Sequence, residues 1–138
     1  MSRPGPMEQR SPYKGTPARP WVRIHFVGLD GTSTALELMA DTGSPCPVVI
    51  GTARMAVLTQ GRLADLNTDF GPLQGGWLRV DMPELGLNQF VAGYGSDEVM
   101  LAAQSNCSDF QGLVGLSLLR LLEYGGNADE FWIRRAAP

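Results

Sequence analysis

Residues 36–51 read LELMADTGSPCPVVIG, and this stretch decides how the rest of the chain is interpreted. Apolar and polar residues alternate on the approach to Asp41, a pattern that predicts a half-buried β-strand. The strand must end there, because Gly43 permits a tight turn and the two prolines that follow cannot join a central ladder. A short apolar run, residues 48–50, comes after the break. The sequence therefore predicts a carboxylate in a tight loop at the end of a buried strand.

The flanking sequence is mostly typical of short β-strands. Residues 21–27 alternate as a half-buried strand does, and Asp30-Gly31 predicts a hairpin turn into the strand that reaches Asp41. Only LSLLRLLEY has apolar residues at helical spacing, so one helix is predicted over residues 116–123, with Ser117 as its candidate cap. ARMAVLTQGRLADL is ambiguous. Further strands are predicted in GPLQGGWLRVDMPELGL, which reads as two extended pieces, and in QFVAGY, EVMLAA, LVG and EFWIRR.

A second informative element is FQGLVGLSLLRLLEY, residues 110–124, where a short apolar strand ends in Gly115 and enters the predicted helix. Together with Asp-Thr-Gly-Ser at residues 41–44 and the glycine-containing hairpin between them, it resembles the retropepsin family of single-domain aspartic proteases. The resemblance covers residues 21–135. It implies an all-β, closed acid-protease barrel with one short helix in its C-terminal half. In that fold the late segment packs beneath the aspartate-bearing loop.

The resemblance implies a role for each residue of the loop. Asp41 is the expected catalytic residue, one of two carboxylates that activate a water molecule against a peptide bond. Thr42 is expected to fix the loop against the loop of a partner subunit. Gly43 is expected to donate a backbone hydrogen bond to the carboxylate, and the Ser44 hydroxyl to bond its outer oxygen.

The chain carries only one such loop, because no other aspartate is followed by Thr-Gly or Ser-Gly. A chain of 138 residues is also too short for two lobes, each with its own carboxylate. The second carboxylate must then be Asp41 of a second copy, so a symmetric homodimer is predicted. As in viral relatives, the strands near Trp21 and residues 131–133 are the candidates for pairing between subunits.

The resemblance further implies a hairpin flap that closes over a peptide or protein substrate. Residues 65–80 are the predicted flap, because three glycines give this segment mobility. Phe70 and Trp77 are its candidate substrate contacts, although either side chain could equally belong to the core.

Composition sets the expected domain boundaries and partners. Residues 1–20 contain five of the ten prolines and carry a net charge of +3, which leaves −6 on the other 118 residues. We expect a disordered Pro/Arg-containing arm over residues 1–20 and a folded domain over residues 21–135. The acidic body argues against nucleic-acid binding. No signal peptide or membrane span of ~18 apolar residues is seen, so a cytoplasmic protein is expected, unless the chain is a piece of a longer precursor.

Other interpretations of the same residues stay open. The fold could serve as a catalytically silent dimerisation or peptide-binding module, the loop could be only a structural turn, or the basic arm could anchor a nucleic acid. His25 lacks companions at metal-ligand spacing, so no metal site is expected there. The expected protease reaction needs neither a metal nor an organic cofactor. Cys46 and Cys107 are expected to be buried free thiols, although the sequence leaves a bridge between them open.

Overall fold

The computed structural model describes residues 8–69 and 71–137. Within them the α-helices are α1 (Thr52–Leu58), α2 (Asp97–Asn106) and the short α3 (Leu116–Leu119), and a single 3-10 turn spans Pro83–Leu85. The strands are β1 (Glu8–Pro12), β2 (Trp21–Val27), β3 (Ser33–Asp41), β4 (Val48–Ile50), β5 (Arg62–Thr68), β6 (Gly71–Met82), β7 (Leu87–Gly95), β8 (Gly112–Gly115), β9 (Glu123–Gly126) and β10 (Glu130–Arg134). None of the helices in these residues is long and apolar enough to cross a membrane.

Six strands close into a β-barrel in the order β2-β3-β8-β4-β7-β6, with β6 returning to pair with β2. β5 extends this sheet beyond β6. The predicted hairpin is confirmed, because β2 and β3 pair antiparallel from Trp21↔Met39 to Val27↔Ser33. Two pairs in the barrel are parallel, β3 with β8 and β4 with β7. The prediction of a mostly β, closed-barrel fold is therefore confirmed.

The barrel core follows from the alternation seen in the sequence. Ile24 and Phe26 of β2 and Leu36 and Leu38 of β3 are fully buried, while the residues between them are more exposed. Each such side chain contributes about 1.5–3 kcal/mol when it leaves water. These buried residues fix which face of β3 points into the barrel. They therefore also fix the position of Asp41, at the end of that strand.

The prediction that residues 1–20 form a disordered arm is wrong for residues 8–20, so the folded unit begins by Glu8 and not at Trp21. β1 pairs with β10 over five residue pairs. The Trp21 indole donates to the Pro12 carbonyl at 2.7 Å, and the Lys14 ammonium lies 4.0 Å from the centre of the Trp21 ring. Backbone pairing to a distant strand supplies the order that the local composition lacks. Residues 1–7 lie outside the described part of the chain.

The expected pairing of terminal strands between subunits needs correction. β10 is the middle strand of a β1-β10-β9 sheet formed within one chain, so neither of its edges is free. The N-terminal half of β2 is covered by the Gln9 side chain, which bonds the backbone N–H and C=O of Arg23 at 2.6 and 2.8 Å. The outer edges of this sheet belong to β1 and β9.

The helix predictions also need correction. EVMLAA is not a strand but part of α2, because the Ser96 hydroxyl accepts from Val99 N–H and caps the helix. The late helix ends at Leu119 and not at residue 123, since residues 123–126 pair with β10 as β9. Ser117 is not its cap; its hydroxyl lies 3.3 Å from the Pro45 carbonyl oxygen. β6 is one continuous strand instead of two pieces.

Candidate active site

Asp41 is placed by the parallel pairing of β3 with β8. It is the last residue of β3 and stands opposite Gly115, the last residue of β8. The chain then turns sharply, because Ser44 N–H donates to the Asp41 carbonyl at 3.0 Å. Gly43 N–H donates to Asp41 Oδ1, also at 3.0 Å, as the resemblance implied. One carboxylate oxygen is thus held by the backbone of its own loop, and the side chain is half-buried.

The late segment packs against this loop, which confirms that the two informative stretches meet. Gly115 N–H donates to the Pro47 carbonyl at 2.9 Å, and Leu116 N–H lies 3.4 Å from the Ser44 carbonyl oxygen. A Cβ on Gly115 would lie 2.7 Å from Ser44 O and closer still to Cys46 O. The loop can therefore approach β8 this closely only because residue 115 is glycine.

Ser44 does not make the bond expected of it, and the contact expected of Thr42 involves a second subunit. The Ser44 hydroxyl contacts Cys46, accepting from its N–H at 3.3 Å and lying 3.4 Å from its carbonyl oxygen. The expected bond from Ser44 to the Asp41 carboxylate is therefore absent from the described contacts, and the hydroxyl stabilises the turn instead. Thr42 and Gly43 are exposed, so the tip of the loop faces outward. Contact between Thr42 and a partner subunit stays a prediction.

Asp41 opens into a groove of about 450 Å³. Three parts of the molecule enclose it: the aspartate loop with the adjoining barrel strands, the tip of the β5–β6 hairpin, and one face of α2. Most of the lining is apolar or small. The side chains that shape it are Met39, Val49 and Leu113 from the barrel, Leu73 from the hairpin, and Val99, Ala102 and Ala103 from α2.

The hairpin prediction is met in part. β5 and β6 pair up to Thr68↔Gly71, and Thr68, Asp69 and Leu73 line the groove opposite the aspartate loop. Phe70, a candidate substrate contact, lies outside the described residues. Trp77 does not line the groove; it is 40% exposed and borders a separate hollow with Gln60 and Phe90. The structure therefore does not bring Trp77 to Asp41.

The α2 wall was missed by sequence reasoning. Its position is fixed by Asp97, whose carboxylate accepts from the Thr52 N–H and hydroxyl at 2.9 and 3.0 Å and so ties α2 to the start of α1. A signal for this helix was present, because Ser96 followed by two acidic residues is a typical helix start. Asp69 and Leu73 were inside the predicted flap but were not named as site residues.

The two cysteines are free thiols. Cys46 is only 6% exposed and packs with Val49, Leu73 and Val99 in a small cluster beside the groove. Burial raises the pKa of the Cys46 thiol. Its sulfur is therefore protonated at neutral pH and acts as part of the apolar wall.

The charged groups that line the groove are both acidic. Asp41 and Asp69 contribute carboxylates, and no arginine, lysine or histidine of the described chain borders the cavity. Over residues 8–69 and 71–137, no three His, Cys, Asp or Glu side chains come close enough together to hold a metal ion. One chain therefore offers a carboxylate, held by the backbone of its own loop, beside an apolar groove.

Comparison with models of known protein families, with curated proteins and with solved structures finds no match for this chain. Any assignment of function must therefore rest on the geometry of the groove and on the motif that builds it.

Proposed function

We propose that the protein is a retropepsin-like aspartic endopeptidase that works as a homodimer, with Asp41 as the catalytic residue of each subunit. One observation carries the proposal: Asp41, held by Gly43 N–H at 3.0 Å, opens into an apolar groove also lined by the tip of a hairpin. A carboxylate, a groove for side chains and a segment able to cover them are the parts that this reaction needs.

The reaction explains why a second copy is required. Two carboxylates close together cannot both ionise cheaply, so the pair shares one proton. The ionised member accepts a proton from the attacking water while the protonated member donates to the scissile carbonyl. The water oxygen bonds to the carbonyl carbon, and the carbon–nitrogen bond then breaks as the amine takes up a proton. Asp41 of each subunit supplies one member of the pair.

The exposure of the loop tip supports assembly about this site. Thr42 and Gly43 are exposed, so the loops of two copies can approach each other without displacing core residues. Leu121 and Tyr124, on the segment that follows α3, are large apolar side chains that are more than one-third exposed. These two side chains are apolar surface that a second copy of the chain could cover.

A second function keeps the fold but not the chemistry. A catalytically silent peptide-binding module would use the same apolar groove, and for that role the Asp41 carboxylate is not needed. The intact Asp41-Thr42-Gly43-Ser44 loop favours the enzyme, because its carboxylate lines the groove, where a module that only binds side chains has no need of it.

The test is peptide cleavage by the wild type and Asp41→Asn against a mixed pool of unstructured peptides, from about pH 4 to 7. Asp81→Asn is the matched control, since Asp81 is half-buried on β6 and outside the groove. We expect Asp41→Asn to lower the rate by about 10²- to 10⁴-fold while Asp81→Asn retains activity. Both variants should unfold at temperatures close to that of the wild type.

A series of enzyme dilutions tests the dimer. The rate should rise faster than linearly with enzyme concentration when the protein is dilute, because only the paired form is active. Equal activity of wild type and Asp41→Asn, with both folded, would contradict the proposal. A rate strictly proportional to enzyme concentration, with a monomer at every dilution, would contradict the proposal that the active form is a homodimer.

A further inference from the structure

Asp69 is the charged residue that faces the groove from the hairpin. It lies beyond Thr68, which pairs with Gly71, and therefore sits in the turn that joins β5 to β6. Its side chain is exposed, and it has no ion-pair or hydrogen-bond partner within the described part of the chain. A carboxylate without an internal partner is available to a ligand that enters between the hairpin and the aspartate loop.

The surroundings of Asp69 do not offset its charge. The remaining lining of the groove, apart from Asp41, is apolar or uncharged. Arg62 at the start of β5 borders a different cavity, which it shares with Asp65. The first turn of α2, which forms the third wall, carries Asp97 and Glu98. Apolar walls around two carboxylates concentrate a negative potential within the groove.

We propose that Asp69 is a specificity-determining residue, which selects peptides that carry an arginine or lysine beside the apolar side chain that fills the groove. The inference rests on the proposed function only in that the groove must bind peptides. The apolar wall supplies affinity for one side chain, and Asp69 supplies a charge preference for its neighbour. The same hairpin would then both cover the peptide and help to select its sequence.

The test uses matched peptides that share one cleavable sequence and differ only in Arg or Gln, placed in turn at each position around the cleaved bond. At one or more positions, the wild type should prefer the Arg peptide in kcat/KM by about two- to fivefold, the range for an exposed ion pair. Asp69→Asn should remove the preference, and Asp69→Lys should reverse it. The wild-type preference should also shrink at ~1 M salt, where charges are screened within about 3 Å.

Asp65→Asn is the matched control on the same hairpin. Its side chain keeps the oxygen that accepts from Gly75 N–H at 3.2 Å, but it loses the same charge at a place outside the groove. The Arg/Gln ratio should be unchanged in this variant. If Asp65→Asn lowers the ratio as much as Asp69→Asn does, the general charge of the hairpin is responsible and the proposal for Asp69 is overturned.

Binding separates this inference from the proposed function. Fluorescent Arg and Gln peptides are titrated onto Asp41→Asn and onto the double variant Asp41→Asn/Asp69→Asn, neither of which needs to cleave. If the wild type cleaves nothing but Asp41→Asn prefers the Arg peptide, the enzyme proposal fails and the role of Asp69 stands. Cleavage that is indifferent to Arg at every position, or binding of no peptide at all, overturns the role of Asp69.

Discussion

The aspartate loop and the β5–β6 hairpin enclose the same groove but are built in opposite ways. The loop lies between barrel strands, and its backbone is bonded to β8 and to the start of α3. β5 pairs with one strand only, and all but one of its residues are exposed. Local stability follows buried contacts, so the loop should be among the last parts to open and the hairpin among the first.

This difference fits the work proposed for the two regions. A carboxylate that must share a proton with a partner has to be held in place, whereas a cover must open to admit a peptide. Leu73 joins the two regions, because it is buried on the hairpin strand and packs with Cys46 of the loop. The two regions therefore share one small apolar cluster beside the groove.

The largest expected effect comes from filling the space between the loop and β8. Gly115→Ala places a methyl group 2.7 Å from the Ser44 carbonyl oxygen, and backbone cannot move aside as a side chain can. We expect a loss of about 3 kcal/mol in the free energy of unfolding, together with loss of cleavage. Urea denaturation measures the first and the peptide assay the second.

Gly28→Ala is the control for this change. A Cβ there would lie 3.2 Å from Oδ1 at the far end of the Asp30 side chain and 3.9 Å from the Thr32 carbonyl oxygen, which is an ordinary contact. The loss of stability should stay below about 1 kcal/mol, within the range of ordinary surface substitutions. Similar losses in the two variants would show that the close approach of the loop to β8 is not a tight constraint.

The hairpin should give a smaller and more local effect. Gly71 has φ +87°, a conformation that suits glycine, but a Cβ added there would meet no described atom within 4 Å. Gly71→Ala should therefore cost about 1–2 kcal/mol from backbone strain alone. Because the hairpin can open by itself, we expect faster amide hydrogen exchange in β5, with little change in β2 and β3. Equal acceleration in the barrel strands would contradict separate opening of the hairpin.

The parts of this structure that local patterns encode were predicted from the sequence. The alternation in β2 and β3 and the Asp30-Gly31 turn each depend on neighbours in the chain, and each is where it was expected. The meeting of β3 with β8 at Gly115 joins distant segments, and it was expected from the resemblance instead. They fix the barrel seam that carries Asp41. The position of the catalytic candidate thus followed from residues 36–51 and 110–124 alone.

The other parts that depend on distant partners were not predicted. β1 is ordered by β10, which lies more than one hundred residues away, so its proline-rich composition was misleading. The apolar run in residues 98–103 fits either a strand or a helix, and the decision came from the Ser96 cap and the tie of Asp97 to Thr52. The groove itself, with Asp69 on one wall and α2 on another, exists only once these elements pack.

The smallest expected effect concerns the reactivity of the Cys46 thiol. Its rate of alkylation reports on both the aspartate loop and the β5–β6 hairpin. Cys46 is buried against Leu73, and its raised pKa keeps the thiol protonated at neutral pH, so alkylation should be slow there. The thiolate fraction grows as the pH rises toward and above the raised pKa, so labelling should accelerate on the alkaline side only. Cys107 is partly exposed and does not line the groove, which makes it an internal reference.

Gly71→Ala should speed the labelling of Cys46 but not that of Cys107, because strain in the hairpin should loosen the apolar cluster that Leu73 and Cys46 share. A bound peptide should slow it, since the peptide occupies the groove that the reagent must enter. Mass spectrometry of each cysteine-containing peptide, at matched pH, gives both rates from one sample. If Gly71→Ala accelerates both cysteines equally, the whole barrel has loosened, and the hairpin is not an independently moving cover over Asp41.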